Sequence, residues 1–150
     1  MSPIADWDLS DDENAIAEIV RTVRTVAVVG MKDASRGGPA YRIPQLMRAE
    51  GIRCIPVNPT IEEALGERCR PDLAAIGEPI DLVQIFRRGE NVPPVADQIL
   101  ALPPPLRPKV VWMQSGIVNR VAAARLGAAG IRVVMDRCLS VEMARYRPER

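Results

Sequence analysis

Residues 25–41 read TVAVVGMKDASRGGPAY, and this stretch indicates the fold. The continuous apolar run 26–29 ends at Gly30 and is typical of a strand buried on both faces of a parallel sheet. The polar loop that follows has its next glycines only at Gly37 and Gly38, whereas the G-x-G-x-x-G dinucleotide loop needs two more within about five residues. The stretch therefore predicts a parallel α/β sheet with an unusual ligand loop.

The chain length and amino-acid composition predict one ordinary globular domain over residues 1–150, with residues 1–10 expected to be flexible. Lys and Arg number 20 and Asp and Glu 19, so there is no general attraction to nucleic acid or to a membrane surface. Only one Phe, two Tyr and two Trp occur, too few for a platform that stacks nucleotide bases.

Cysteine and histidine usage narrows the classes further. The three cysteines form no C-x-x-C pair, and neither a secretory leader nor a run of about 20 apolar residues is evident, so we expect a cytoplasmic protein. The chain has no histidine, which removes the commonest general base and metal ligand. A Ser-His-Asp hydrolase or a zinc site is excluded on this ground.

Helical and strand patterns alternate along the chain. A capping box at Ser10 and Glu13 predicts the start of a first helix. Five apolar runs predict strands at 26–29, 52–57, 80–86, 110–113 and 131–135. The alternation predicts a three-layer, doubly wound, Rossmann-like α/β fold with a parallel five-stranded sheet, in the order 3-2-1-4-5.

Ligands of such folds bind at the carboxyl ends of the strands, at the topological switch point. In the predicted order this point lies between strands 1 and 4. The candidate ligand-binding residues follow the strands there: Gly30, Met31, Lys32, Ser35, Arg36, Tyr41, Asn58, Pro59, Phe86, Arg87, Arg88, Gln114, Ser115, Gly116 and Cys138.

The first loop has the composition of an anion site. Gly30 permits close approach of the backbone, and Lys32, Ser35 and Arg36 add a hydroxyl and positive charge before the next helix N-terminus. A solvated turn is the alternative. Across the crevice, at least one of the residues 114–116 is expected to contact the ligand.

The arginines Arg87 and Arg88 follow the third strand and can clamp a phosphate. The alternatives are a solvated loop or ion pairs with Glu90 and Asp81. Cys138 follows the fifth strand beside Arg137, which can favour its thiolate. Otherwise Cys138 is a small buried apolar residue, as Cys54 and Cys69 are expected to be.

The second strand argues against a nicotinamide cofactor. An NAD site usually has an acidic residue at the end of this strand, whereas Asn58 and Pro59 stand here and no carboxylate follows before Glu62. Thr60 and Ile61 offer no positive group for the extra phosphate of NADP.

Five motifs in order, VAVVG, IPVNP, DLVQIFRR, VWMQSGI and VVMDRCLSVE, resemble the small stand-alone CoA-binding-domain proteins. These are similar to the N-terminal domain of the succinyl-CoA synthetase alpha subunit, and the resemblance spans about residues 20–145. It implies that coenzyme A binds at the switch point, with its diphosphate against residues 31–36 and its nucleotide half near Asn58, Pro59 and residues 86–88. Where the family often has a proline-rich loop, this chain has residues 36–39, RGGP.

The synthetase chemistry does not follow from the resemblance, because it needs a phosphorylated histidine and a second domain. The leading hypothesis is a module that binds CoA or acyl-CoA and senses, stores or presents it without catalysis of its own. A small NAD(P)-dependent oxidoreductase and an interaction protein with a vestigial nucleotide pocket are the alternatives. Homo-oligomerisation and a protein partner are left open.

Overall fold

The computed structural model describes residues 5–147. The helices are α1 (Glu13–Thr22), α2 (Pro39–Ala49), α3 (Val92–Ala101), α4 (Arg120–Ala128) and α5 (Leu139–Tyr146). The strands are β1 (Thr25–Val29), β2 (Arg53–Val57), β3 (Glu63–Ala64), β4 (Glu67–Arg68), β5 (Leu82–Ile85), β6 (Val110–Met113) and β7 (Arg132–Val134). Within the described range, no helix has the length and apolar character needed to cross a bilayer.

Five parallel strands form the main sheet in the order β2-β1-β5-β6-β7, while β3 and β4 make a separate antiparallel hairpin. The α/β class and the parallel doubly wound sheet are as predicted. The predicted strand order is wrong, because the third predicted strand, β5, pairs with β1 and β6 instead of lying outside β2. Two observations agree with this strand order. All four residues of β5 are buried, as a central strand requires, and Pro56 lacks an N–H and suits an edge strand such as β2.

Helices cover both faces of the sheet and give it two apolar cores. Ile99 of α3 and Leu126 of α4 pack with Val83 on one face. On the other face, Ile16 and other residues of α1, α2 and α5 pack with Trp112, which is fully buried. Each large apolar side chain buried in this way contributes about 1.5–3 kcal/mol.

The N-terminal segment lies against the sheet. The Leu9 N–H donates to the Val133 carbonyl at 2.9 Å, and the Val133 N–H donates to the Trp7 carbonyl at 2.8 Å. The Trp7 ring covers Gly127 of α4, where a Cβ would collide with it. Of the segment 1–10 that is predicted to be flexible, residues 1–4 lie outside the described residues, and residues 7–9 continue the edge of the sheet beyond β7. The flexibility of this segment stays a prediction.

The first helix begins elsewhere than predicted. Asp12 caps α1 by accepting from the Ala15 N–H at 3.0 Å, while the Ser10 hydroxyl donates to Asp8 and accepts from the Met135 N–H. The capping box at Ser10 is therefore wrong. Helix α2 begins at Pro39, and Pro44 lies inside it.

Candidate functional site

The observed strand order moves the crevice. When the first strand lies between the second and the third, the chain reverses its winding between the first and the third, which here are β1 and β5. The predicted switch point between the first and fourth strands is therefore wrong. The loops that meet at the crevice are the one after Val29 and the one after Ile85.

Gly30 lies at the centre of this crevice. Its N–H donates to the Val57 carbonyl at 3.0 Å, and the Phe86 N–H donates to the Val29 carbonyl at 2.9 Å. Its φ is +86°, and a Cβ there would lie 2.5 Å from the Phe86 carbonyl oxygen. Only glycine fits this position, because the backbone of the β1 loop passes directly against the end of β5.

Asn58 holds the loop after β1 in place through a side-chain hydrogen bond. It is buried, and its side-chain Nδ2 donates to the carbonyl of Met31, which is also buried, at 2.8 Å. Its Oδ1 accepts from the backbone N–H and the hydroxyl of Thr60 at 2.8 and 2.7 Å. The predicted ligand contact of Asn58 is untested, but its structural role is to hold the loop against the end of β2.

The outer part of the β1 loop is open and polar. Ser35 and Arg36 are exposed, Lys32 is half-buried, and a Cβ at Gly37 would meet no atom within 4 Å. The Asp33 carboxylate accepts from the Ser35 hydroxyl at 2.6 Å and from the Arg36 N–H at 3.2 Å.

The hydrogen bond from the Ser35 hydroxyl is the main reason that the pKa of Asp33 is lowered. Asp33 is a loop residue that the sequence reasoning missed, and the signal was its place two residues before a serine. The Asp33 carboxylate already accepts hydrogen bonds from the Ser35 hydroxyl and the Arg36 N–H, two donors that a bound anion would otherwise use.

Phe86, Arg87 and Arg88 follow β5 directly beside Gly30. Phe86 and Arg87 are half-buried and Arg88 is exposed. Among residues 5–147 neither arginine takes part in an ion pair. Asp81 is not their partner: it lies at the opposite edge of the sheet, where its Oδ2 accepts from the N–H groups of residues 24 and 25 at 2.9 and 3.1 Å.

A cleft of about 520 Å³ opens beyond the end of β2 and is lined by Pro59, Ile61, Cys69 and Pro71, among others. Pro59 is exposed. Tyr41, in the first turn of α2, is half-buried and packs against the second apolar core. The structure thus brings the first loop, the β2 end and the β5 end into one region.

The residues after β6 lie one strand farther from Gly30 than predicted, since β5 lies between them. Gln114 is buried, and its Oε1 accepts from Gln84 Nε2 at 2.9 Å and from the Leu139 N–H at 3.0 Å. Ser115 and Gly116 are exposed, and the Gly116 N–H donates to Asp136 at 2.6 Å.

Cys138 is the N-cap residue of α5 and is half-buried, with its Sγ 3.2 Å from the Ser140 hydroxyl. The predicted partnership with Arg137 is not observed. The Arg137 guanidinium pairs with the carboxylates of Glu13 and Glu142, and its Nε donates to the Ser10 carbonyl at 2.8 Å.

The two other cysteines are buried, as expected. Burial raises the pKa of Cys54 to about 12 and also raises that of Cys69. Both are therefore thiols at neutral pH. In the described part of the chain no cluster of His, Cys, Asp and Glu is suited to hold a metal ion.

Comparison with known proteins agrees with this geometry. The YneT protein of Bacillus subtilis (strain 168) is 40% identical over 129 residues, which cover 86% of this chain and 92% of that one. A solved structure from Thermus thermophilus is 34% identical with a TM-score of 0.82, and covers 90% of this chain and 98% of its own. A protein of Pyrococcus horikoshii OT3 has a TM-score of 0.84 at 26% identity, with 98% and 99% covered.

The sequence profile of the CoA binding domain matches residues 24–144, which include every strand of the main sheet and all the loops described above. The chain belongs to the CoA-binding-domain family.

Proposed function

We propose that this protein binds coenzyme A or an acyl-CoA at the carboxyl edge of its sheet, in the crevice between β1 and β5. The observation that carries the proposal is the close contact between the Gly30 backbone and Phe86, which leaves no room for a side chain at Gly30. This contact forms the base of the crevice, next to the open loop that follows β1. Family membership supplies the class of ligand.

The parts of the ligand can be assigned by charge and shape. The diphosphate lies against residues 31–36, where Lys32 and Arg36 provide positive charge. Arg87 and Arg88 take the 3′-phosphate, because they lack ion-pair partners among the described residues and charge-assisted contacts to phosphate are strong. The nucleotide half lies toward the cleft at Pro59.

The role of the protein in this proposal is to sense, store or present CoA in the cytoplasm without catalysing a reaction. Ligation of CoA by a phosphorylated histidine is not available to a chain that contains no histidine. A regulatory output can instead come from Cys138, which is half-buried at the same edge of the sheet.

The reaction proposed for Cys138 is thiol–disulfide exchange with CoA disulfide. The Cys138 thiolate attacks one sulfur of the disulfide, a new S–S bond joins Cys138 to one CoA, and the other CoA leaves as a thiolate that takes up a proton. The mixed disulfide is reversed by an added thiol. No external oxidant is needed, since CoA disulfide is itself the oxidant.

Calorimetric titration with CoA, acetyl-CoA, NAD, NADP and ATP tests the ligand class. CoA should bind most tightly, and at 100 times its dissociation constant it should stabilise the fold by about 2.7 kcal/mol, because it binds the folded state. Tighter binding of NAD or NADP than of CoA overturns the proposal in favour of an oxidoreductase. No binding by any of the five leaves an interaction protein as the function.

A further inference from the structure

Gln84 is a polar side chain inside the sheet whose carbonyl oxygen has no partner. It lies in β5, between Val28 of β1 and Trp112 of β6, and is 0% exposed. Its Oε1 is buried and has no hydrogen-bond donor within the described residues. Buried polar atoms are nearly always paired, so an unpaired acceptor calls for an explanation.

The orientation of the Gln84 amide is fixed by its neighbours. Gln114 Oε1 must be an acceptor, because the Leu139 backbone N–H donates to it at 3.0 Å. The Gln84 group that faces the same oxygen, at 2.9 Å, must then be the NH₂. Rotating the Gln84 amide would bring two carbonyl oxygens together, so its Oε1 stays without a donor.

This acceptor lies at the carboxyl edge of the sheet. Gln84 is the residue before Ile85, the last residue of β5, and the chain then runs into Phe86 beside Gly30. On the other side, the shared contact with Gln114 joins it to Leu139, the first residue of α5 and the neighbour of Cys138. Gln84 is therefore connected to the crevice at Gly30 through β5, and to the start of α5 through Gln114.

We propose that Gln84 Oε1 accepts a hydrogen bond from an amide N–H of the pantetheine arm of bound CoA, and so directs the thiol end of that arm toward α5. This inference rests on the proposed function. Pantetheine is the part of CoA that has amide N–H donors separated from the phosphates by an extended chain. The donors of the nucleotide half, the adenine amino group and the ribose hydroxyls, lie toward the cleft beyond β2 in the proposed pose, on the far side of β1 from β5.

The variant Gln84→Met tests the proposal, since Met has similar volume and no acceptor of this kind. Affinity for CoA should fall by about three- to tenfold, as expected for one neutral hydrogen bond, while affinity for 3′,5′-ADP should not change. The ligand-free variant should unfold at a denaturant concentration similar to that of the wild type, because removal of the unpaired buried acceptor is offset by loss of the hydrogen bond from Gln84 to Gln114. Gln84→Leu serves as the second variant if Gln84→Met does not fold.

A spectroscopic measurement separates ligand contact from a purely structural role. In wild-type protein, the side-chain carbonyl ¹³C resonance of Gln84 should shift on addition of CoA and not on addition of 3′,5′-ADP. Equal CoA affinity of wild type and Gln84→Met, or an equal loss for CoA and 3′,5′-ADP, overturns the inference. Failure of the wild type to bind either ligand overturns the proposed function instead.

Discussion

The two edges of the parallel sheet use their polar groups differently. At the amino edge, the Asp81 carboxylate closes the space between β1 and β5 by accepting two backbone N–H groups. A groove of about 460 Å³ lies there, with an apolar floor and two charges of each sign, Glu18, Asp81, Lys109 and Arg132. At the carboxyl edge, Arg87 and Arg88 have no ion-pair partners within residues 5–147, and the backbone itself forms the floor at Gly30.

This difference shows why a groove alone does not identify a binding site. The amino edge has a groove nearly as large as the cleft at the end of β2, but its charges balance and the Asp81 carboxylate already accepts two hydrogen bonds. At the carboxyl edge, Arg87 and Arg88 have no ion-pair partners within residues 5–147, and a ligand can approach the backbone closely at Gly30. Positive charge and accessible backbone are the features that anion binding requires. Matched substitutions at the two edges test this difference.

The largest effect is expected from Gly30→Ala, compared with Gly130→Ala at the amino edge. The two glycines have φ of +86° and +85°, but only at Gly30 would a Cβ meet other atoms within 4 Å. A left-handed conformation costs an alanine roughly 1–2 kcal/mol at either site. Overpacking against Phe86 adds about 1–3 kcal/mol at Gly30 alone.

Denaturant unfolding of both variants measures the difference. Gly30→Ala should lose about 2–5 kcal/mol of unfolding free energy and should also lose CoA binding, while Gly130→Ala should lose only the conformational cost and bind CoA normally. If the two variants lose the same stability and Gly30→Ala binds CoA as the wild type does, the close approach at Gly30 has no role in the site.

Local patterns predicted the elements and the class of fold well. The five apolar runs, including the one before Gly30, follow from short-range chemistry, and the structure confirms a strand in each of them. The Ser10 cap was wrong because an equally good cap, Asp12, lies two residues later. Ser10 instead makes tertiary contacts that no local pattern encodes.

Strand order and partner choice could not be predicted in the same way. The sequence does not say which neighbour β5 takes, and this one choice moves the switch point from β6 to β5. Arg137 shows the same limit, since its partner Glu13 is 124 residues away in the chain. The candidate loops do lie at the carboxyl edge of the sheet, but their distances from Gly30 depend on the strand order, which the sequence does not specify.

The second effect concerns charge. Replacing Arg87 and Arg88 with Ala removes two positive charges at the carboxyl edge, and replacing Lys109 and Arg132 with Ala removes two at the amino edge. The first double variant should weaken CoA by about one to two decades, as expected for charged hydrogen bonds worth roughly 1.5–3 kcal/mol. The second should leave affinity nearly unchanged when measured by calorimetry at the same salt concentration.

A comparison of CoA with dephospho-CoA shows which phosphate Arg87 and Arg88 contact. If the arginines hold the 3′-phosphate, their loss should affect CoA more than dephospho-CoA. Equal losses for the two ligands would move the arginines to the diphosphate. Equal affinities of the two double variants for CoA would mean that the charge difference between the edges does not select the ligand.

The smallest effect is a change in labelling rate at the cysteines. Cys138 is half-buried at the carboxyl edge, whereas Cys54 is 5% exposed and has a pKa of about 12. A raised pKa keeps Cys54 protonated until the pH approaches that value, so at pH 8 only about one molecule in 10,000 has the reactive thiolate. Iodoacetamide should therefore modify Cys138 first, as followed by peptide mass spectrometry, and saturating CoA should slow this reaction several-fold.

The variant Cys138→Ser should remove the fast-labelled site without changing CoA affinity, because the contacts to phosphate lie elsewhere. Labelling of Cys138 at the same rate with and without bound CoA would place the thiol end of the ligand away from α5, and the exchange reaction proposed for this cysteine would then be wrong.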